Sequence, residues 1–324
     1  SSIFIGHNAG VAIVEDYNTD PTSASLVVNT IAFQVGNTPD RITNFSSRGP
    51  TVGLGLKPDI AAPGENILAQ GYTPGAEGEE QYFGYGQASG TSMAAPHVAG
   101  AAVLVRQAYP NWTNSQIKSA LMTTSKYTDV YNFDGSPAQP LDMGAGRLDL
   151  ARVLDPGVLV DPVNVSFGVV HTGTAQSLVV TVMSVAEATE TYELSTLYTG
   201  GGFTATTALA GFSVEPTSIT LEPGASAQFT VTIDPAASQG IGENQGFIVM
   251  DGPTHDAHMP VWARVIPATP LADVLIIDNS APGIFGTDYL SVYTSTLEAL
   301  GKSYAVVDTM NSFGEATTIP EPAQ

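Results

Sequence analysis

Cysteine is absent from this 324-residue chain, basic residues are scarce, and no apolar run is long. Each absence closes a class of explanation. Without cysteine there is no disulfide framework and no thiolate metal site, although the redox compartment stays open. Lys and Arg number 10 against 31 Asp and Glu, a formal net charge of −21. That balance argues against nucleic acid or an anionic membrane as partner. It suits a soluble secreted protein from a salty environment, or simply a solvated acidic surface. No stretch approaches the roughly 18 apolar residues of a membrane-spanning helix, and no repeat of solenoid period is visible. The chain opens at Ser1 with neither methionine nor signal peptide, and is expected to be a piece of a longer protein. What is present is an ordinary 43% of hydrophobic residues, enough for a real core, in a length that accommodates about two or three domains.

One stretch organises the rest: Ser89-Gly90-Thr91-Ser92-Met93-Ala94-Ala95-Pro96-His97-Val98-Ala99-Gly100, followed by the apolar Ala101-Ala102-Val103-Leu104-Val105. The pattern predicts a buried helix beginning beside Ser92, whose free N–H groups and positive dipole end would face a developing negative charge. Gly90 would let the backbone approach a substrate, Ala94 and Ala95 would allow tight burial, and Pro96 is expected in the first turn, where no N–H is needed. Gly90 and Thr91 are therefore the candidate substrate-contacting residues. Ala94 stands where the nucleophile elbow of α/β-hydrolases requires its second glycine, which excludes that motif.

This run resembles the nucleophile motif of subtilases, the subtilisin-like serine peptidases. Phe45-Ser46-Ser47-Arg48-Gly49-Pro50, Ala61-Ala62-Pro63-Gly64 and Gly144-Ala145-Gly146-Arg147-Leu148-Asp149 resemble further subtilase segments in the family's order. The resemblance implies that residues 1–153 are the C-terminal part of a peptidase domain of three-layer α/β fold. Upstream, residues 3–5 and 11–14 read as short strands around a Gly6-to-Gly10 turn, and Leu26 to Phe33 as another strand. Thr113 with Gln116 reads as a capping box opening a helix through about Thr124.

At Asp155-Pro156-Gly157 the pattern changes to alternation. Val163, Val165 and Phe167 alternate, as do Phe229, Val231 and Ile233, and Met259, Val261, Ala263 and Val265. Bounded by Pro and Gly turns, these predict a β-sandwich of about seven strands over 156–267, similar to fibronectin-III-like or immunoglobulin-like modules. A Pro-rich linker leads into 271–324, where strand, helix and strand make the start of another α/β domain too small to close its own core. The fold class is thus multidomain: partial α/β, all-β sandwich, incomplete α/β.

Acyl transfer by serine needs a nucleophile, a histidine base, an acid to orient it and donors for the oxyanion. Ser92 is the candidate nucleophile and its own N–H one donor. The family's Asp-Ser/Thr-Gly and His-Gly-Ser/Thr motifs are both missing, so the catalytic Asp and His are expected in upstream sequence and the chain alone is expected to be inactive. The competing reading is a pseudoprotease whose sandwich serves binding or adhesion. His97 lies five positions after Ser92, on a different helix face, and the resemblance makes it structural. Asn8, in a turn similar to the family's oxyanion turn, is the candidate second donor. Its rivals are a plain turn asparagine or the end of an inserted domain, and His7 departs from the family's glycine. His255-Asp256-Ala257-His258 lacks a further ligand and reads as a solvated hairpin loop rather than a metal site. Glu77, Glu79 and Glu80 form a loop that could rim a cleft, and Asn44, Asn111 and Asn164 head short glycosylation sequons. No cofactor is required. The resemblance allows structural calcium with ligands unassigned, and a protein or peptide substrate outside the cell or at its surface.

Overall fold

The computed structural model describes residues 7–20, 37–73, 82–204, 206–268, 273–278 and 289–308. Contacts divide the chain into two units, 1–37 and 38–324.

In the first unit the described element is helix α1 (His7–Thr19). The strand and turn expected at 6–14 are corrected here. A short apolar run does not distinguish strand from helix, and Val11 and Val14 stand three apart, one turn of a helix. The helix stops before Pro21, whose ring disfavours helical geometry at the preceding Asp20. Residues 3–5, the run Leu26 to Phe33 and the glutamate loop at 77–80 lie outside the described residues.

The second unit opens with the antiparallel pair β1 (Ile67–Thr73) and β2 (Tyr82–Ala88), registered Ile67 to Ala88. Ser89 and Gly90 connect it to α2 (Thr91–Ala108). Next come α3 (Asn114–Thr123) and a short α4 (Pro140–Met143). The capping box is formed as the sequence indicates: Gln116 N–H donates to Thr113 Oγ1 at 3.2 Å, and Thr113 N–H to Gln116 Oε1 at 2.8 Å. Gly144 and Gly146 take φ of 66° and 137°, and a Cβ at either would strike the backbone carbonyl of Asp59 or Lys126. Both glycines are required because Ile60 bridges Gly144 and Ala61 bridges Arg147 at close backbone approach.

Nine strands follow, in two sheets ordered β3-β5-β9-β7 and β4-β11-β10-β6-β8. They are β3 (Val158–Asp161), β4 (Val165–His171), β5 (Gln176–Ser184), β6 (Glu190–Leu197), β7 (Phe212–Glu215), β8 (Ser218–Leu221), β9 (Ser226–Ile233), β10 (Gly242–Asp251) and β11 (Asp256–Ile266). The chain crosses from one sheet to the other at each of the seven connections from β3 to β10, and two of these crossings, β3 to β4 and β7 to β8, pass through Pro162 and Pro216, which end short strands. Proline has no N–H to continue a ladder. Phe167, Val180, Val182, Tyr192, Phe229, Val231, Ile248, Met259 and Val261 fill one shared core between the sheets.

The outer face of β10 and β11 is buried as well. Phe247 packs with Ile42, Val130, Ala138 and Met143, and Trp262 with Leu56 and Leu141. Leu159 joins Ala101, Val105, Ile117 and Leu121 of α2 and α3. Helix α2 is less covered than its composition suggests. Ala101 and Val105 are buried, but Val103 and Leu104 are 65% and 48% exposed. Finally β12 (Val274–Asp278) pairs in parallel with β13 (Tyr304–Asp308), with α5 (Leu290–Ala299) between them. No helix among the described residues is long and apolar enough to cross a membrane.

Candidate active site

Ser92 is the second residue of α2 and is exposed. Its position is fixed by backbone contacts around the preceding turn. Gly90 N–H donates to the Gly64 carbonyl at 2.8 Å, and Asn66 N–H donates to Ser89 Oγ at 2.8 Å. The Gly64-to-Asn66 segment therefore holds both residues of the turn. A Cβ at Gly64 would lie 2.8 Å from the Gly90 oxygen and 3.2 Å from Ala94 Cβ. This explains a glycine at 64 and a small residue at 94. Ala95, expected to be tightly buried, is exposed instead.

The Gly90 carbonyl accepts the first helical bonds, from Met93 N–H at 3.0 Å and Ala94 N–H at 3.4 Å. The N–H groups of Thr91 and Ser92 are thus those an α-helix leaves without internal acceptors, and they are disposed toward an anion at the helix start. Pro96 lies inside α2, beyond the first turn where it was expected. Having no N–H, it removes the helical bond that would return to the Ser92 carbonyl.

None of His97, His171, His255 and His258 hydrogen-bonds Ser92. His97 Nδ1 lies 2.8 Å from the Met93 carbonyl, turned back along its own helix. His258 is buried, with Nε2 2.7 Å from the Ala145 carbonyl and 3.3 Å from Ser125 Oγ; burial pushes its pKa down to about 4. His255 lies between Glu190 and Asp155. The 255–258 hairpin is thus not a solvated loop. One histidine is a core residue and the other lies within hydrogen-bond distance of two carboxylates, and among the described residues no group of three or more His, Asp or Glu is placed to hold a metal. Asn8 lies in the first turn of α1 rather than in a strand-end turn.

Around the site, charge is internally paired. Burial disfavours the ionised form of Asp59, but hydrogen bonds from Lys57 and Lys118 outweigh it and hold the carboxyl below its ordinary range. Arg48, in the Phe45-to-Pro50 turn, pairs with buried Asp142 at 3.1 Å, and Gly49 N–H donates to the Leu141 carbonyl at 2.9 Å. Sequence reasoning missed the hold of Asn66 on Ser89 and the pairing of His255. The second had a readable signal: Glu190 shares the inward phase of β6 with Tyr192 and Leu194. A carboxylate on a buried phase requires a partner.

Comparison with known proteins adds an independent observation. Residues 9–146 match the model of the subtilase family. The chain is 43% identical over 137 residues to the subtilisin-like protease SBT1.6 of Arabidopsis thaliana, covering 38% of this chain and 18% of that protein. It is 31% identical over 284 residues to SBT2.5 of the same plant, covering 69% of this chain and 34% of the relative. To the minor extracellular protease Vpr of Bacillus subtilis it is 38% identical over 130 residues, covering 40% and 16%. The chain thus spans about a third or less of the length of these relatives. Nucleophile motif, helix-start geometry and comparison agree on one assignment: residues 9–146 match the subtilase family, and the relatives they resemble are subtilisin-like proteases.

Proposed function

We propose that this chain carries the nucleophile part of a secreted serine endopeptidase, acting on peptide bonds of protein substrates. The observation that carries the reading is the placement of Ser92: exposed, at a helix start, on a turn held by the Gly64 carbonyl. Ser92 Oγ attacks the scissile carbonyl carbon as a histidine removes its proton. The carbonyl electrons move to oxygen, and the Ser92 N–H donates to that oxyanion. Collapse expels the amine, which takes the proton, and water then hydrolyses the acyl-enzyme. Gly90 and Thr91 flank the substrate backbone. A second oxyanion donor of the family's kind is worth about 10²–10³-fold in kcat, a magnitude known from subtilisin itself.

The histidine and its aspartate belong, in this reading, to sequence outside the 324 residues. Three described histidines are engaged elsewhere, and the relatives are several times longer. Residues 1–153 are then the C-terminal part of the peptidase domain, 156–267 a fibronectin-III-like module, and 271–324 an incomplete α/β domain. Labelling with a fluorophosphonate tests this. The parent reading frame should label at Ser92 and lose labelling in Ser92→Ala, while the chain alone should stay unlabelled. An unlabelled parent would favour the pseudoprotease, and labelling of the chain alone would refute the missing base.

A further inference from the structure

The junction between the α/β segment and the sandwich contains a charge cluster that the proposed peptidase chemistry does not use. His255, in the β10–β11 hairpin, has Nδ1 2.7 Å from Glu190 Oε1 and Nε2 3.0 Å from Asp155 Oδ1. A neutral imidazole has one N–H and one lone pair, so it can donate to only one of these carboxylates. The imidazolium donates to both. Glu190 is 5% exposed and its Oε2 is buried without a hydrogen-bond partner, so loss of the cation leaves a buried carboxylate uncompensated.

Asp155 lies on the segment that runs from the α/β part into β3. Two residues on, Gly157 has φ +67°, and a Cβ there would come within 2.6 Å of His255 Cγ and 3.0 Å of Tyr192 Oη. The Gly157 carbonyl accepts from Val185 N–H at 2.8 Å and Ala186 N–H at 3.1 Å. Arg152 donates to the Asp256 carbonyl at 2.8 Å, a second tie to the same hairpin. The junction is therefore laid against His255 rather than hanging free.

We propose that His255 is a proton-operated latch: as imidazolium it ties the 152–157 junction to the sandwich through Asp155 and Glu190, and on deprotonation it releases that junction. The facing groups are Glu190 and Tyr192 on β6, Arg152 and Asp155 on the junction, Asp251 at the end of β10 and Asp256 at the start of β11. Carboxylates outnumber Arg152, which favours the cation. Burial works against the charge, but hydrogen bonds to Glu190 and Asp155 outweigh it and raise the His255 pKa. A raised folded-state pKa gives stabilisation that is complete below the unfolded value and lost as pH rises through the folded one.

Two measurements on the full chain test the latch: NMR titration of the imidazole, and tryptic cleavage after Arg152 normalised to an unfolded control at each pH. His255 should titrate above its ordinary value, and Asp155→Asn should lower that titration. Cleavage of the wild type should accelerate across the same titration, while His255→Gln should be cleaved rapidly throughout. Asp155 is 81% exposed, so Asp155→Asn decides the matter if His255→Gln fails to fold. Its cleavage at about pH 5 should exceed that of the wild type. Wild-type cleavage that is flat across the titration, or an Asp155→Asn rate equal to wild type, overturns the latch.

Discussion

Gly64 has no side chain, and the turn carrying Ser92 is built on that. Its carbonyl takes the Gly90 N–H while the Cβ position faces the Gly90 oxygen at 2.8 Å. Backbone rather than a flexible side chain fills that space, so Gly64→Ala must push α2 away. We expect a loss of about 1–3 kcal/mol, read as a lower urea midpoint. His258 gives a prediction of opposite origin. Its pKa lies at about 4, below the ordinary value of 6.5, because burial penalises the cation. The neutral ring therefore stabilises the fold above the unfolded pKa, and this contribution declines as pH falls from about 6.5 to about 4. The total is about 3 kcal/mol, and replacing His258 with Leu should flatten that part of the stability profile in urea unfolding at several pH values. The helix start at Ser92 was legible from its motif. The partners of Ser89 and His258 were not, because neither is close in sequence: Asn66 and Ala145 reach them only through the fold.

Among the elements, α3 was legible in full because its signals are local. Thr113 and Gln116 satisfy each other across the first turn, whatever packs elsewhere. Thr113→Ala should cost about 1 kcal/mol of stability, measured by denaturant unfolding, and leave the sandwich strands intact. The alternating runs at 165–167 and 229–233 likewise specified strands with one buried face. The residues around Asn8 show where such reading fails. Four apolar residues fit a strand or one turn of helix equally, and the stop at Pro21 serves either. Strand β11 fails differently: its register was legible, but every residue from Ala257 to Ala263 is buried, on both faces. Alternation carries no information about what covers the second face.

For the whole molecule, that second face is the main finding. Phe247 and Trp262, on the outside of the sandwich, are both fully buried against residues of the 38–153 segment. The 38–153 segment and the sandwich therefore share apolar cores as well as the His255 junction. Phe247→Ala removes a ring from such a core and should cost about 3–5 kcal/mol. The expected outcome in denaturant is separation of one cooperative transition into two, followed by Trp262 fluorescence and far-UV circular dichroism. The sequence by itself determined the start of α2 beside Ser92, the order of α/β and β segments, the capped helix and the inward strand positions. All of these rest on motifs and periodicities within a few residues of one another. Only the tertiary structure decided that the sandwich is buried from outside, that Gly64 and Asn66 hold the Ser92 turn, and that His255 joins Asp155 to Glu190. Each of those contacts spans a long stretch of chain, and side-chain patterning says which face is apolar but not what will meet it.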